Sequence, residues 1–469
     1  MDLITDPINA VYFSRFILKK DGNGGGGERR VSQIFDIIKD YNPRFLSVPQ
    51  NDYADESLNL PDIKFSNLKP NDLEFKKIVT GGEYFFWSEK FRNNIAYLRV
   101  VGHKWADLVN TKLPVDIAFV DEPLFFAPLI DKLNDLNVPI IGLEQNIETL
   151  VRGQVEEKYQ HELFKKEIEY FKKCDLVITI SDEDTVLLNN FGVHTFHIPY
   201  YPICEQVELF LKIRHERSKR RTKKDYILLG TAGNIPTLEG MLELAKKWAA
   251  SEELKNKILH VVGYGTEKVG ELLSLPESGN VRILGGVDED TLHALLQQVK
   301  ASIIFQSNGT GALCKIAELL IAGVPVYANH HAARSYHNIQ GLIEYHNFFD
   351  LINRLLADGS KKQMLDIPIP EPPQNDFILK TISGIVKESS DKEAKKDYQA
   401  IIQNQSNIIR ELRLRAEKAE AQLKASEADR AARLEVIQQK EQQLRRILEG
   451  YSYRLGHLIL WPLKKLLNK

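Results

Sequence analysis

Asn308-Gly309-Thr310-Gly311-Ala312-Leu313-Cys314-Lys315-Ile316-Ala317-Glu318, followed by Leu319-Leu320-Ile321-Ala322-Gly323-Val324-Pro325-Val326-Tyr327-Ala328, sets the architecture of this chain. An apolar stretch over 301–305 reads as a strand running into a glycine-bearing loop. The loop opens a helix, and Gly323 stands at the C′ position where helices commonly end. A second strand over 324–328 follows at once. The unit is therefore strand–loop–helix–strand, with its loop at the C-terminal edge of a parallel sheet. Backbone N–H groups at a helix start, with Lys315 beside them, suit a diphosphate. One turn further in, Glu318 is an acceptor suited to ribose hydroxyls. The same spacing also fits an ordinary connection, with glycines for tight turning and a solvated lysine and glutamate.

Outward from this unit the alternation continues. Strands are expected over 9–17, 45–48, 115–120, 138–143 and 176–180. Helices are expected over 29–41, with apolar spacing at Val31, Ile34, Ile37 and Ile38, and over 86–109, 124–136 and 157–174. Ser181 with Glu183 and Asp184 supplies the residue types of a helix cap and first turn. This pattern predicts a doubly wound sheet, and its resumption between Tyr226 and Ala328 predicts a second. Residues 50–75 carry no clear pattern. The basic run that ends 205–224 reads either as a nucleic-acid patch or as a solvated connector between domains, and the second fits better.

The motif Gly-x-Gly-x-x-x-Lys-Ile-x-Glu, then Ala-Gly-Val-Pro-Val, resembles the donor-nucleotide motif of family 4-like retaining glycosyltransferases of GT-B fold. Asp225-Tyr226-Ile227-Leu228-Leu229-Gly230-Thr231, with Asn234 and Pro236, resembles the opening strand and turn of their donor domain. Val261-Val262-Gly263-Tyr264-Gly265 and Val281-Arg282-Ile283-Leu284-Gly285 resemble its second and third strands. Gly24-Gly25-Gly26-Gly27-Glu28-Arg29 resembles their acceptor-side glycine turn, and Cys174 to Ser181 the segment closing the first domain. The match covers roughly residues 10–360 and implies two Rossmann-like domains facing a cleft. The expected organisation is an acceptor domain over 1–204, a basic linker over 205–224 and a donor domain over 225–388. A coiled coil over 392–450 and an amphipathic basic tail over 451–469 follow.

The resemblance implies a nucleotide-diphosphate sugar as donor, held by Gly309, Thr310, Gly311, Lys315 and Glu318, with Lys315 offsetting charge on the leaving diphosphate. Many members carry a glutamate where this chain has Thr310. Many also carry an arginine and a lysine after the first donor strand, where this chain offers Thr231, Asn234 and Glu239. Phosphate charge then rests on Lys315 and on amides from Gly230 to Gly233, with Arg334 as a further candidate. On the acceptor side the expectation falls on Gly25, Gly26 and Gly27. Gln145 stands where a histidine near the sugar is usual. Gln145 and Asn146 either hydrogen-bond the transferred sugar or serve as turn residues. Asp121, at a strand end, either acts on an acceptor hydroxyl or starts a helix; Glu122 beside it shares the position. No general base is assigned, since such enzymes use the donor's own phosphate oxygen. No metal or cofactor is expected: the Asp182-Glu183-Asp184 and Asp288-Glu289-Asp290 triplets read as helix starts.

Composition is that of a globular chain of 469 residues, 43% hydrophobic and 27% charged, with room for two or three domains. A net charge of −2 gives no global attraction to nucleic acid. Three cysteines without metal spacing fit a reducing cytoplasm, and the acidic N-terminus does not read as a secretory signal. Beyond 392, apolar or small residues from Ile402 to Leu448 recur mostly at steps of three or four, with a stutter between Leu423 and Leu434. Such a helix extends roughly 70 Å at about 1.5 Å per residue and suits self-association. The last 25 residues carry six Lys or Arg against Glu449 alone, among Tyr451, Tyr453, Trp461 and leucines. This suits an anionic membrane surface or docking on another protein. The expected partners are thus a nucleotide-sugar donor, a glycan or lipid-linked acceptor, copies of the chain itself, and the inner face of the plasma membrane. The alternatives are a non-catalytic GT-B-like scaffold that binds glycan or nucleotide, and a nucleotide-sugar epimerase.

Overall fold

The computed structural model describes residues 8–19, 21, 24–48, 72–109, 111–220, 224–274, 279–337, 339–357, 367–373, 375–388, 439–441 and 443. The chain divides into two compact units, Met1–Gln399 and Ala400–Lys469. The four described residues of the second are helical; the predicted coiled coil and basic tail otherwise lie outside the described residues. Among those, no helix is long and apolar enough to cross a membrane.

The first unit opens with β1 (Ala10–Ser14), α1 (Gly26–Ile37), β2 (Arg44–Ser47), α2 (Leu73–Val79), α3 (Arg92–Leu108) and β3 (Ile117–Asp121). Then come α4 (Ala127–Asp135), β4 (Ile140–Leu143), α5 (Gln160–Lys172), β5 (Leu176–Thr179), α6 (Asp182–Asn190) and β6 (Thr195–His197). The six strands are parallel in the order β2-β1-β3-β4-β5-β6. Every residue of β1, β3, β4 and β5 is buried, as expected of parallel strands covered by helices on both faces.

α7 (Cys204–Lys219) leads into β7 (Lys224–Leu229), α8 (Ile235–Ala250), β8 (Leu259–Val262), α9 (Glu267–Leu273), β9 (Val281–Gly285) and α10 (Glu289–Gln298). β10 (Val299–Ile304), α11 (Cys314–Ile321), β11 (Val326–Asn329), β12 (Leu342–Tyr345), α12 (Phe348–Ala357) and α13 (Asn375–Glu388) complete it. The second sheet is also parallel, in the order β12-β11-β10-β7-β8-β9. Helix starts follow local chemistry: Ser181 Oγ accepts from Asp184 N (3.0 Å), Asn234 Oδ1 from Thr237 N (3.1 Å) and Asp288 Oδ1 from Thr291 N (2.7 Å).

Two segments differ from the sequence expectation. The basic run read as a solvated connector lies largely on α7, and two of its arginines, Arg214 and Arg217, turn inward. Arg214 donates to the carbonyls of Leu320, Ile321 and Ile367 (2.7, 2.8 and 2.6 Å), and Arg217, 3% exposed, to those of Leu296, Val299 and Gly323. Carbonyls at the ends of α10 and α11 are orphan acceptors at the negative end of a dipole, which is what draws the guanidinium groups. α13, grouped by sequence with the donor domain, returns to the first sheet. Its Ile378, Ile382 and Ile385 share one core with Tyr12, Ile34 and Phe119, and Ser383 Oγ hydrogen-bonds the Tyr41 hydroxyl at 2.7 Å.

Candidate functional site between the two sheets

In the second sheet, chain order runs from β7 outward through β8 and β9, then jumps to β10 on the other side of β7. The C-terminal crevice of an open α/β sheet lies at such a switch. Here it falls between the loop after β7, residues 230–234, and the loop after β10, residues 305–313. Gly263, at φ +136°, is demanded by the crossing of loops: a Cβ there would sit 1.7 Å from Gly230 O. Lys315, in the first turn of α11, spans the crevice and donates from Nζ to Leu229 O at 2.8 Å. Burial, then the nearby Arg29 charge, pulls its ammonium down to about 8. Leu313, at the N-cap of α11, offers no side-chain cap; Ile316 N turns back to Leu313 O at 3.0 Å, and the start of the helix receives no side-chain acceptor from its cap.

Glu318 lies one turn on, 5% exposed. Tyr200 O–H donates to its Oε1 at 2.8 Å, and Arg29 Nη1 of α1 pairs with its Oε2. Beside it opens a hollow of about 100 Å³, lined by Gly24, Arg29, Phe210, Leu229, His293 and Glu318 among others. From sequence Glu318 is an acceptor suited to ribose hydroxyls; here its carboxylate holds a cation from the other domain, 289 residues away.

The first sheet has its own switch, between β1 and β3. There Asp121 accepts from the Tyr12 hydroxyl at 3.1 Å, and burial lifts its carboxyl to about 6 against bonds from Ser14 and Tyr12 and the charge of Arg15. Arg15 Nε lies 2.6 Å from Glu122 and its Nη2 3.2 Å from Glu148. Glu122 is buried in the left-handed region at φ 47°, and burial raises its carboxyl well above the usual range. Asp121, Glu148 and Gln145 are all buried, and Gln145 joins Ser14 and Tyr12 in bonding to the Asp121 carboxylate. Sites that hold strained backbone and buried carboxyls with perturbed titration are where function concentrates.

The two crevices meet. Thr310 Oγ1 accepts from Ile147 N at 2.9 Å, Gly311 N donates to Asp184 Oδ2 at 2.6 Å, and Arg334 donates to Thr310 O at 2.9 Å. The Asn146 side-chain amide lies 3.1 and 3.0 Å from the carbonyls of Gln145 and Thr310, and donates to both once its oxygen and nitrogen are assigned by their partners. A Cβ on Gly311 would lie 2.3 Å from Gln145 O, so glycine permits the contact. Glu183, in the acidic triplet that opens α6, accepts from Ser335 and from His337 (2.9 Å) across the same junction. Among the described residues no group of three His, Cys, Asp or Glu side chains is arranged for a metal ion.

The residues named from sequence therefore divide. Lys315, Glu318 and Gly230 border the second crevice. Thr310, Gly311, Gln145, Asn146 and Arg334 form the junction. Gly25, Gly26 and Gly27 open α1, which carries Arg29 to Glu318. Gly309, at φ +142°, would place a Cβ 3.4 Å from Arg334. Asn234 is occupied in capping α8, Thr231 donates to Tyr264 O (3.2 Å), and Gly233 O accepts from Lys90 Nζ (2.9 Å). Arg29, Tyr200, Arg15 and Glu148 were given no role from sequence. Arg29 falls two residues after the last glycine of the acceptor-side turn, which was the available signal; Tyr200 had none.

No protein-family profile matches the chain, and no curated protein is similar to it in sequence. Among solved structures it is similar to the α,α-trehalose 6-phosphate synthase of Burkholderia multivorans, at 10% identity and a TM-score of 0.53, over 86% of this chain and 99% of that one. It is also similar to the UDP-forming α,α-trehalose-phosphate synthase of Burkholderia vietnamiensis, at 11% identity and 0.52, over 87% and 96%. The sucrose-phosphate synthase of Thermosynechococcus elongatus aligns at 12% identity and 0.50, over 86% and 99%. The likeness is one of fold: two parallel α/β sheets in the GT-B arrangement of these proteins.

Proposed function

We propose that the chain is a glycosyltransferase that moves a sugar from a nucleotide-diphosphate donor to a hydroxyl of a glycan or lipid-linked glycan, with retention. The observation that carries this reading is the second crevice. Lys315 spans the switch between β7 and β10, and Glu318 borders the adjoining hollow one helical turn away. In that arrangement the ribose hydroxyls donate to Glu318 and the diphosphate lies against Lys315 and the uncapped start of α11. As the bond between the anomeric carbon and the diphosphate oxygen breaks, charge grows on that oxygen, and Lys315 stabilises it. The acceptor oxygen bonds to the anomeric carbon, and its proton passes to the departing phosphate oxygen. Asp121 and Gln145, at the end of the first sheet, are placed in this reading against the sugar. Holding all groups in one closed junction supplies the orientation such a step needs.

The experiment is transfer from a labelled nucleotide sugar, with product anomers assigned by NMR. Lys315→Ala is expected to lower kcat by about 10²- to 10³-fold, and Glu318→Ala to act mainly through donor binding. Unchanged transfer in both variants would remove the site assignment. A glycan-binding scaffold without activity would instead show binding and no turnover. Likeness to a UDP-forming synthase makes UDP-sugars the first donors to try.

Self-association through the heptad-patterned segment and attachment of the basic tail to the inner membrane face complete the proposal, in a cytoplasmic setting. Sedimentation of the full chain against a version ending at Glu388, with and without anionic vesicles, checks both parts. Equal monomer masses and no co-sedimentation would dismiss them.

A further inference from the structure

The loop after β7 carries no arginine or lysine from Gly230 to Glu239. Thr231, Asn234 and Glu239 are engaged elsewhere, the last with Arg152 (3.2 Å) and Ser307 (2.9 Å). Arg334 is turned to Thr310 O. A diphosphate brings more negative charge than Lys315 alone balances. On the wall of the hollow shared with Glu318, a second cation arrives from the other domain: Arg29, held in the first turns of α1.

We infer that Arg29 is the second diphosphate-binding cation of the donor site, poised on Glu318 and transferred to the phosphates when a nucleotide's ribose takes the carboxylate. The inference rests on the donor-site reading given above. Three observations support it. Arg29, Glu318 and Leu229 line one hollow, and Lys315, outside its lining, donates to the Leu229 carbonyl on its wall, so the second cation stands in the space next to the first. The Arg29–Glu318 pair parks a guanidinium on an oxyanion at the place the ligand would occupy. Exchanging carboxylate for phosphate keeps the fork paired, because a guanidinium matches either oxyanion in a two-point contact. Finally, Arg29 Nε is buried and unpartnered, a donor left for a further acceptor oxygen. The charge is also felt nearby: after burial, Arg29 is the next cause depressing the Lys315 ammonium.

The opposing account is that Arg29 only staples the two domains through Glu318. Calorimetry on the full chain separates them, using UDP, GDP, ADP and CDP, each beside its monophosphate. Arg29→Gln is expected to weaken the bound diphosphate by about 10- to 100-fold, and the monophosphate far less. Arg29→Lys should recover part of the loss. Glu318→Gln should weaken both forms alike, since it acts on the ribose. Equal or tighter diphosphate binding by Arg29→Gln, or an equal loss for both forms, overturns the inference while the Glu318→Gln result still stands for the donor site. Absence of nucleotide binding by the unaltered chain would remove both. Thermal unfolding of each variant, matched to the parent, shows that the comparison is between folded proteins.

Discussion

Lys315 sits where burial and Arg29 both disfavour its charge, and its ammonium falls from 10.5 to about 8. An amine whose folded pKa lies below its unfolded value binds fewer protons folded than unfolded between those two limits. The stability contribution of this group therefore rises with pH from about 8 to 10.5, and the charged form is a cost below 8. Ligand binding has the opposite dependence. A diphosphate prefers the ammonium, so affinity should hold below pH 8 and drop above it, approaching tenfold per pH unit where one proton is required. Calorimetric affinities between pH 7 and 9.5 check this, with Lys315→Ala flattening the profile. Arg29 keeps its charge throughout, so it adds no step of its own. A profile that is flat in the parent chain would mean the ammonium is not part of the site. Lys315 and Glu318 were legible from sequence because both lie on one short helix, three residues apart. The partner of Glu318 was not, because the pairing closes over 289 residues and no local pattern encodes it.

Among the elements, α13 makes the most specific commitment. Its Ile382 is fully buried against the first sheet's helical face although the residue follows the whole second sheet in sequence. Removing buried methylenes costs both transfer and cavity energy, so Ile382→Ala should destabilise the fold by about 2–5 kcal/mol. The thermal unfolding midpoint measures the effect. A shift near zero would mean that α13 is not part of that core. The central strands were read from their continuous apolar runs, and Ser181, in a polar–acidic run, announced a helix start. β12 escaped because Leu342, Ile343 and Glu344 are only half-buried at the sheet edge and lack that signal. α7 was misjudged for a related reason. Charge density along a sequence does not reveal that Arg214 and Arg217 face inward to carbonyls whose helices end nearby.

The molecule as a whole joins two sheets whose switch points face one junction, and both switches carry buried titratable groups. Contacts across it join Thr310 to Ile147, Gly311 to Asp184, Glu183 to His337 and Arg29 to Glu318. Burial opposes the charge on Glu183, but bonds from His337 and Ser335 outweigh it and hold the carboxyl down to about 2, while Glu183 raises His337. Architecture of this kind was legible because two rounds of strand–helix alternation were present. The closure of the junction was not, since it rests on loop-to-loop contacts. The central claim is that the second crevice is a donor-nucleotide site. Its most direct test is a thermal-shift panel of UDP, GDP, ADP and CMP with their sugar conjugates, on the full chain and on Glu318→Ala. Ligand binding to the folded form raises its unfolding temperature by mass action. A clear rise with one nucleotide in the parent chain, lost in Glu318→Ala, is the predicted result. No rise with any nucleotide, or a rise of equal size in both proteins, would contradict it.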